Sequence, residues 1–355
     1  MIGAMGEPCN VLILGASYGS LLAAKLLAAG HHATLVCRAP TAELINKEGI
    51  RVRLPLKDSG TLELHSCLLP GQLAASAPRR AEPESYDLVV LAMSEPQYGA
   101  PGVRELLDRI AKAKRPCLSI MNMPPPAYLQ RVAHVHTDAL RSCFTDPTVW
   151  QHFDPACVTL CSPDPQALRV PGEPVNLVQV TLPTNFKAAR FESEAHTGML
   201  RRLAADIEAA RYDGEDLPVK LKVHESLFVP LAKWAMLLAG NYRCVTARGV
   251  RSIRDAVHSD LAQSRSVYEW VRELCVWLGA AAEDLVPFEK YAAAAAQLAG
   301  PSSAARALVA GATHIERVDR IVQAIGAQAG FRNATVEETV ALIDARLAAN
   351  RKAAA

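Results

Sequence analysis

Asn10-Val-Leu-Ile-Leu-Gly-Ala-Ser-Tyr-Gly-Ser20 is the stretch that decides the fold of this chain. An apolar strand enters a turn at Gly15, and an alanine- and leucine-rich helix follows as far as Gly30. A second apolar strand then ends in Leu35-Val-Cys-Arg38. This order is the first βαβ unit of a dinucleotide-binding sheet, in which a pyrophosphate rests on the N-terminus of the helix. It predicts a Rossmann-type, doubly wound α/β domain.

The glycine turn fits the dinucleotide pattern G-x-G-x-x-G in two ways. Read without a gap, Gly15 is followed by Ser17 and Ser20 at the second and third glycine positions. Alternatively, Gly19 is the third glycine and the loop is one residue short. In both alignments these four residues, with Tyr18, form the predicted cofactor-binding turn.

The composition favours a globular protein of two domains. The chain has 355 residues, of which 50% are hydrophobic and 21% charged, with a formal net charge of +2. Such a charge gives no reason to expect a nucleic acid or an anionic membrane as partner. No apolar run approaches the ~20 residues that span a bilayer, and the start lacks the features of a secretory signal. The 9 cysteines form no C-x-x-C pair. We therefore expect reduced thiols, no metal site and a cytoplasmic location.

The pattern of strands and helices changes along the chain. Residues 1–217 are expected to form the Rossmann-type domain, and residues 218–350 an all-α domain, because strand signals almost vanish after the first range. Buried parallel strands are predicted at residues 11–14, 33–37, 87–92 and 117–121, and a hairpin at residues 49–54 and 61–67. Helical segments are predicted at residues 225–239, 251–278, 288–298, 303–329 and 336–350.

Arg38 indicates which dinucleotide the first domain binds. In this fold the end of the second strand meets the adenosine ribose, where an acidic residue binds the 2′-hydroxyl of NAD and arginine accommodates the 2′-phosphate of NADP. The strand ends in arginine and has no acidic residue. The sequence therefore favours NADP, the alternative being that Arg38 is a solvated surface residue.

Two polar residues next to apolar segments are candidates for the site. Lys233 is the only ionisable residue in residues 227–239, and burial there would lower its pKa and make it a proton donor. Alternatively, its methylenes lie on apolar surface while the amine stays in water. Asn122 ends a predicted strand just before three prolines, where it would contact the nicotinamide ribose or a substrate, or simply begin a turn.

The chain resembles the ketopantoate reductase family in four segments. These segments are Gly19 to Arg38, Ile120-Met-Asn122, Leu231-Ala-Lys233 through Asn241, and Thr313-His-Ile-Glu-Arg-Val-Asp319. The match of the first segment favours the shorter glycine loop. The resemblance implies a Rossmann domain followed by a helical domain like the C-terminal domain of 6-phosphogluconate dehydrogenase, with the active site in a cleft between them. It also implies that Lys233 is the catalytic lysine, that Asn122 contacts a ligand, and that substrate is bound by Asn241 and by Ser302 or Ser303.

The chain departs from the family pattern at the expected substrate pocket. The glutamate that typically follows the Thr313 position is replaced by His314, and Leu237 stands where an asparagine is usual. On a continuous helix Glu316 would lie ~200° away from His314 and could not replace the glutamate. His314 is then a substitute catalytic acid or substrate ligand, an ordinary histidine in a helix interface, or a sign that catalysis is lost. The basic residue often found after residues 87–92 is also absent.

These observations lead to one expectation and two alternatives. We expect an NADP-dependent reductase of a small ketone or 2-keto acid, similar to ketopantoate reductase with an altered pocket, cytoplasmic and homodimeric. The resemblance implies a place in pantothenate biosynthesis. The alternatives are a reductive condensation like that of opine dehydrogenases, for which His314 would transfer a proton, and a nucleotide-binding protein without efficient catalysis.

Overall fold

A computed structural model describes residues 7–56 and 60–354 of the chain. The chain divides into two compact units. Unit 1 consists of Met1–Met93, Gln97–Met121 and Val149–Glu225, and unit 2 of Ser94–Pro96, Asn122–Thr148 and Ser226–Ala355. The boundary that we predicted at residue 217 lies at Glu225 instead, and two segments from the first half of the chain belong to unit 2.

The regular elements are as follows. The strands are β1 (Asn10–Leu14), β2 (His32–Val36), β3 (Arg51–Leu56), β4 (Gly60–His65), β5 (Leu73–Ser76), β6 (Leu88–Leu91), β7 (Cys117–Ile120), β8 (Val158–Ser162), β9 (Gln166–Leu168), β10 (Leu177–Leu182), β11 (Phe186–Ala189), β12 (Arg211–Tyr212), β13 (Glu215–Asp216), β14 (Leu221–His224), β15 (Val245–Thr246) and β16 (Gly249–Val250). The α-helices are α1 (Tyr18–Ala28), α2 (Ala39–Glu48), α3 (Val103–Ala113), α4 (Pro126–Leu129), α5 (Glu194–Ala209), α6 (Lys233–Met236), α7 (Ile253–His258), α8 (Leu261–Trp277), α9 (Phe288–Ala295), α10 (Ser303–Val309), α11 (Val318–Gln328) and α12 (Ala334–Ala354).

Unit 1 is built on an eight-stranded sheet in the order β14-β11-β8-β7-β6-β1-β2-β5. Its neighbouring strands are parallel except β11 and β8. The central strands β6 and β7 are buried along their whole length, as parallel strands covered on both faces must be. A second sheet has the order β4-β3-β10-β9 and contains the predicted hairpin, β3 with β4. The predicted doubly wound α/β domain is confirmed.

Helix α1 is buried on every side. It packs against β2 of the large sheet, against β3, β9 and β10 of the second sheet, and against α5. This surrounding explains why the helix is apolar all round instead of amphipathic. Its one charged residue, Lys25, has no exposed surface, and its Nζ donates a hydrogen bond to the main-chain oxygen of Pro218 at 2.7 Å. Burial, reinforced by the charge of Lys220, lowers the pKa of Lys25 from 10.5 to about 7.

The substitution Lys25→Met tests this buried charge. Because the pKa is lower in the folded protein, the unfolded chain binds more protons between about pH 7 and pH 10.5 and stability should rise with pH there. Replacing the lysine by an apolar residue should stabilise the protein by ~1–3 kcal/mol at pH 6 and flatten this rise. Urea unfolding at several pH values measures both effects. Lys222→Met, a half-exposed lysine of β14, is the matched control, and equal pH slopes in the two variants would contradict the prediction.

Unit 2 is almost entirely helical, with β15 and β16 forming a small antiparallel hairpin. The prediction of one helix over residues 303–329 is wrong. Helix α10 ends at Val309, Gly311 has a positive φ of 85°, and residues 312–317 are irregular before α11 begins at Val318. The helix at 251–278 is likewise broken into α7 and α8, since Asp260 begins a new helix by accepting a hydrogen bond from the Gln263 N–H at 2.8 Å.

The segment predicted as one helix over residues 225–239 changes its winding around Lys233. A 3₁₀ turn at Pro230–Ala232 leads into the short helix α6, and α6 continues into a π-helical turn at Leu237–Asn241. Turns of π-helix occur frequently at functional sites. Among the described residues, none of the helices combines the length and the apolar character that crossing a bilayer requires.

Candidate active site

The glycine turn of unit 1 lies between the carboxyl ends of β2 and β6. Gly15 has a φ of 110°, and its N–H donates to the main-chain oxygen of Val36 at 2.9 Å. A Cβ at this position would lie 2.6 Å from the main-chain oxygen of Ala92. Both the conformation and the close approach therefore require glycine.

The start of α1 packs directly against β1. A Cβ at Gly19 would lie 2.6 Å from Cγ2 of Ile13, so there is no room for one. Close helix–strand packing is the role of the third glycine in the dinucleotide turn, which supports the shorter of the two alignments. Ser20 is buried, and its hydroxyl donates to the main-chain oxygen of Ala16 at 2.8 Å. Ser17 immediately precedes the helix, and the Tyr18 hydroxyl donates to the main-chain oxygen of Pro165.

Arg38 directly follows β2 and is the residue before the first turn of α2. Its side chain is exposed. It therefore lies at the carboxyl end of the second strand, as the sequence predicts, on the same sheet edge as the glycine turn.

A cluster of polar side chains in unit 2 centres on Glu316. The Nδ2 of Asn122 donates to Glu316 Oε2, and the N–H of Glu95 donates to Glu316 Oε1, both at 3.3 Å. Burial raises the pKa of Glu316, while the hydrogen bonds from Asn122 and Glu95 and the positive charge of Lys233 partly oppose this rise. Asn122 and Glu316 are thus in contact, and Lys233 lies close enough for its charge to act on Glu316. The Oδ1 of Asn122 is buried and has no hydrogen-bond partner within residues 7–56 and 60–354.

The irregular segment before α11 positions Glu316. The hydroxyl of Tyr242 donates to the main-chain oxygen of Glu316 at 2.7 Å and accepts from the N–H of Val318 at 3.1 Å. The adjacent Arg317 forms a buried ion pair with Asp319 at 2.9 Å. Residues 313–317 are not helical, so the expected rotation of ~200° between His314 and Glu316 is wrong.

Glu95 supplies a second carboxyl group to the cluster. Only 2% of the residue is exposed, and its two oxygens accept hydrogen bonds from the N–H and the hydroxyl of Thr145 at 2.9 and 2.8 Å. Burial, with the charges of Glu316 and Asp146 adding to it, raises the pKa of Glu95 to about 7 although the hydrogen bonds from Thr145 lower it. Sequence reasoning noted at this position only the absence of a basic residue, and it missed Glu95, Thr145 and Tyr242.

Three other predicted residues lie differently. His314 is exposed, and the contact it makes is with its neighbour, between its Nδ1 and the Thr313 hydroxyl at 3.1 Å. The Ser302 hydroxyl donates to the main-chain oxygen of Asn241 at 2.7 Å and caps α10 by accepting from the Ala305 N–H. Ser303 is exposed. The structure does not bring His314 to the Glu316 cluster, and it gives Ser302 a structural hydrogen bond.

Residues 11–122 match the family model of ketopantoate reductase PanE/ApbA. The solved structure of 2-dehydropantoate 2-reductase from Methylococcus capsulatus is 16% identical, with a TM-score of 0.63 over 96% of this chain and 97% of that one. The chain has the ketopantoate reductase fold. D-mandelate dehydrogenase with NADH and anilino(oxo)acetate is 12% identical, with a TM-score of 0.64 over 96% of this chain and 99% of that one. The dimeric ketopantoate reductase from Staphylococcus aureus is 8% identical, with a TM-score of 0.59 over the same shares. A comparison with curated protein sequences gave no match.

The substitution Glu95→Gln tests the buried carboxyl group. The pKa of Glu95 is raised from 4.5 to about 7 on folding, so the folded protein binds more protons in this range and stability should fall as pH rises through it. Glutamine can still bond to Thr145 but carries no charge. We expect Glu95→Gln to stabilise the protein by ~1–3 kcal/mol at pH 8 and little at pH 4.5, measured by urea unfolding.

The matched control is Glu283→Gln, which changes an exposed carboxylate of unit 2. It should leave the pH dependence of unfolding unchanged. An equal gain in stability at the two pH values for Glu95→Gln would contradict the assignment of the raised pKa to Glu95.

Proposed function

We propose that this protein is an NADP-dependent reductase that transfers a hydride to the carbonyl carbon of a small ketone or 2-keto acid. The observation that carries the proposal is the cluster of Lys233, Asn122 and Glu316, in a chain with the ketopantoate reductase fold. A cation, an amide and a carboxyl group with a raised pKa are the groups needed to bind a carbonyl oxygen and return a proton to it.

The residues of unit 1 fit a dinucleotide. Gly15 and Gly19 have no room for side chains, so the backbone of the turn can approach a pyrophosphate at the start of α1. We assign the turn from Gly15 to Ser20 to the pyrophosphate and Arg38 to the 2′-phosphate. When bound, NADPH supplies the hydride. The D-mandelate dehydrogenase neighbour is in complex with NADH, which supports a nicotinamide cofactor.

The residues of unit 2 would then act on the carbonyl oxygen. In this proposal the Lys233 ammonium donates a hydrogen bond to the oxygen and gives it a proton as hydride addition turns it into an alkoxide. The unpartnered Oδ1 of Asn122 accepts a hydrogen bond from the substrate or the cofactor ribose. Glu316, whose pKa is raised by burial, binds the hydroxyl group that forms. His314 has no part in this scheme because it is exposed and turned to Thr313.

The experiment follows NADPH oxidation with a panel of ketones and 2-keto acids, beginning with ketopantoate and aromatic 2-keto acids. With an active substrate in hand, Lys233→Met should lower kcat by about 10²- to 10⁴-fold while NADPH binding is unchanged. Lys290→Met, an exposed lysine of unit 2, is the matched control and should keep full activity.

Three results would overturn the proposal. Unchanged turnover in Lys233→Met would remove the lysine from the chemistry. Binding of NADPH without oxidation by any carbonyl compound of the panel would favour a nucleotide-binding protein over a reductase. Oxidation that needs an amino acid besides the 2-keto acid would identify reductive condensation instead.

We also propose that the protein is a cytoplasmic homodimer. The Staphylococcus aureus ketopantoate reductase is dimeric, and α8 exposes apolar side chains near its end, with Val276 50% and Trp277 43% exposed. The 9 cysteines are free thiols, as a reducing compartment would leave them. Light scattering coupled to size-exclusion chromatography should give twice the mass of 38.2 kDa. A mass of one chain at micromolar concentration would contradict the dimer.

A further inference from the structure

Two arginines lie near the carboxyl end of β2 in unit 1. Arg38 follows β2, and Arg169 follows β9. The charges of both guanidinium groups act on the thiol of Cys37, so both groups lie close to this residue. The chain that leads into β9 is fixed to the start of α1, because the Tyr18 hydroxyl donates to the main-chain oxygen of Pro165. Arg169 therefore belongs to the same edge of the unit as the glycine turn.

The two guanidinium groups have no counter-charge in the part of the chain that the structure describes. Neither forms an ion pair or a side-chain hydrogen bond with residues 7–56 or 60–354, and the Nε of Arg169 is buried without a partner. Burial and the charge of Arg38 lower the pKa of Arg169. A buried, unpaired donor next to a second positive charge is costly, and a bound anion would remove both penalties.

Further groups at the same place can hold an anion. The N–H of Cys37 donates to the main-chain oxygen of Ser76 at 3.0 Å, and the hydroxyl of Ser76 is buried with no partner among the described residues. Helix α2 begins at Ala39 and extends over 10 residues, so its positive end lies beside Arg38. Guanidinium, hydroxyl and helix N-terminus are the groups that recognise a phosphate monoester.

We propose that Arg169 binds the 2′-phosphate of NADP together with Arg38 and is a residue that determines the preference for NADP over NAD. The inference rests on the proposed function for the identity of the ligand. A phosphate monoester carries about 1.5 to 2 negative charges, enough to pair with two guanidinium groups. NAD has a hydroxyl group in its place, so it leaves the two arginines without a negatively charged partner. The two dinucleotides should therefore differ strongly in their affinity for this site.

The test is a calorimetric titration of the full-length protein with NADP⁺, NAD⁺ and inorganic phosphate. Arg169→Met keeps the apolar stem and removes the guanidinium. We expect it to weaken NADP⁺ binding by about 10- to 100-fold, with NAD⁺ binding unchanged within about twofold. The affinity of the wild type for NADP⁺ should also fall more steeply with salt than that of the variant. Arg211→Met, a half-exposed arginine of the same unit, is the matched control and should change neither affinity.

The outcomes separate this inference from the proposed function. If Arg38→Met weakens NADP⁺ binding and Arg169→Met does not, the inference is overturned while the NADP assignment stands. If the wild type binds NAD⁺ as tightly as NADP⁺, or binds neither, both fail. If inorganic phosphate competes with NADP⁺ in the wild type but not in Arg169→Met, the site is a phosphate site as proposed. Arg169→Lys should restore part of the affinity. The midpoint of thermal unfolding of each variant shows whether the fold is kept.

Discussion

The hydroxyl of Tyr242 makes the two hydrogen bonds on which the candidate site depends. By accepting from the N–H of Val318 and donating to the main-chain oxygen of Glu316, it satisfies backbone groups that a regular helix would have paired internally. The segment before α11 can therefore stay irregular. That backbone directs the Glu316 side chain to Asn122 and to the N–H of Glu95. Hydrogen bonds from Asn122 and from the N–H of Glu95 fix the position of this carboxyl group, although burial disfavours its charge.

Ionisable residues with buried polar atoms occur in both units, but their surroundings differ. Lys25 of α1 has a main-chain oxygen as partner and serves the packing of the helix between two sheets. Glu95 has both oxygens bonded to Thr145 and lies beside a second carboxyl group. Arg169 has an orphaned Nε beside another arginine. A satisfied buried charge is explained by the fold itself, whereas an unsatisfied donor calls for a ligand. This distinction is why Arg169, and not Lys25, indicates a binding site.

The sequence predicts unit 1 better than the candidate site, and the reason is physical. The βαβ unit from Asn10 to Arg38 is specified locally, by buried apolar strands and a glycine turn whose backbone leaves no room for side chains. The break between α10 and α11 is different. Residues 303–329 are rich in alanine and apolar residues, so their pattern favours one helix. Gly311, which adopts a positive φ, is the local sequence signal for the break. The hydrogen bonds that hold the irregular segment come from Tyr242, which is far away in the chain. Contacts of that kind cannot be deduced from periodicity.

The break also changes the significance of the departures from the ketopantoate reductase pattern. If the helix had been continuous, the exchange of glutamate for His314 would have removed the carboxyl group from the pocket. Because the backbone here is irregular, the two side chains are not fixed ~200° apart as they would be on a helix. Glu316 contacts Asn122, whereas His314 is exposed. A carboxyl group therefore lies beside Asn122 although residue 314 is a histidine. Glu95 adds a second acidic side chain next to this carboxyl group. The local charge around Glu316 is therefore set by two neighbouring carboxyl groups and by Lys233.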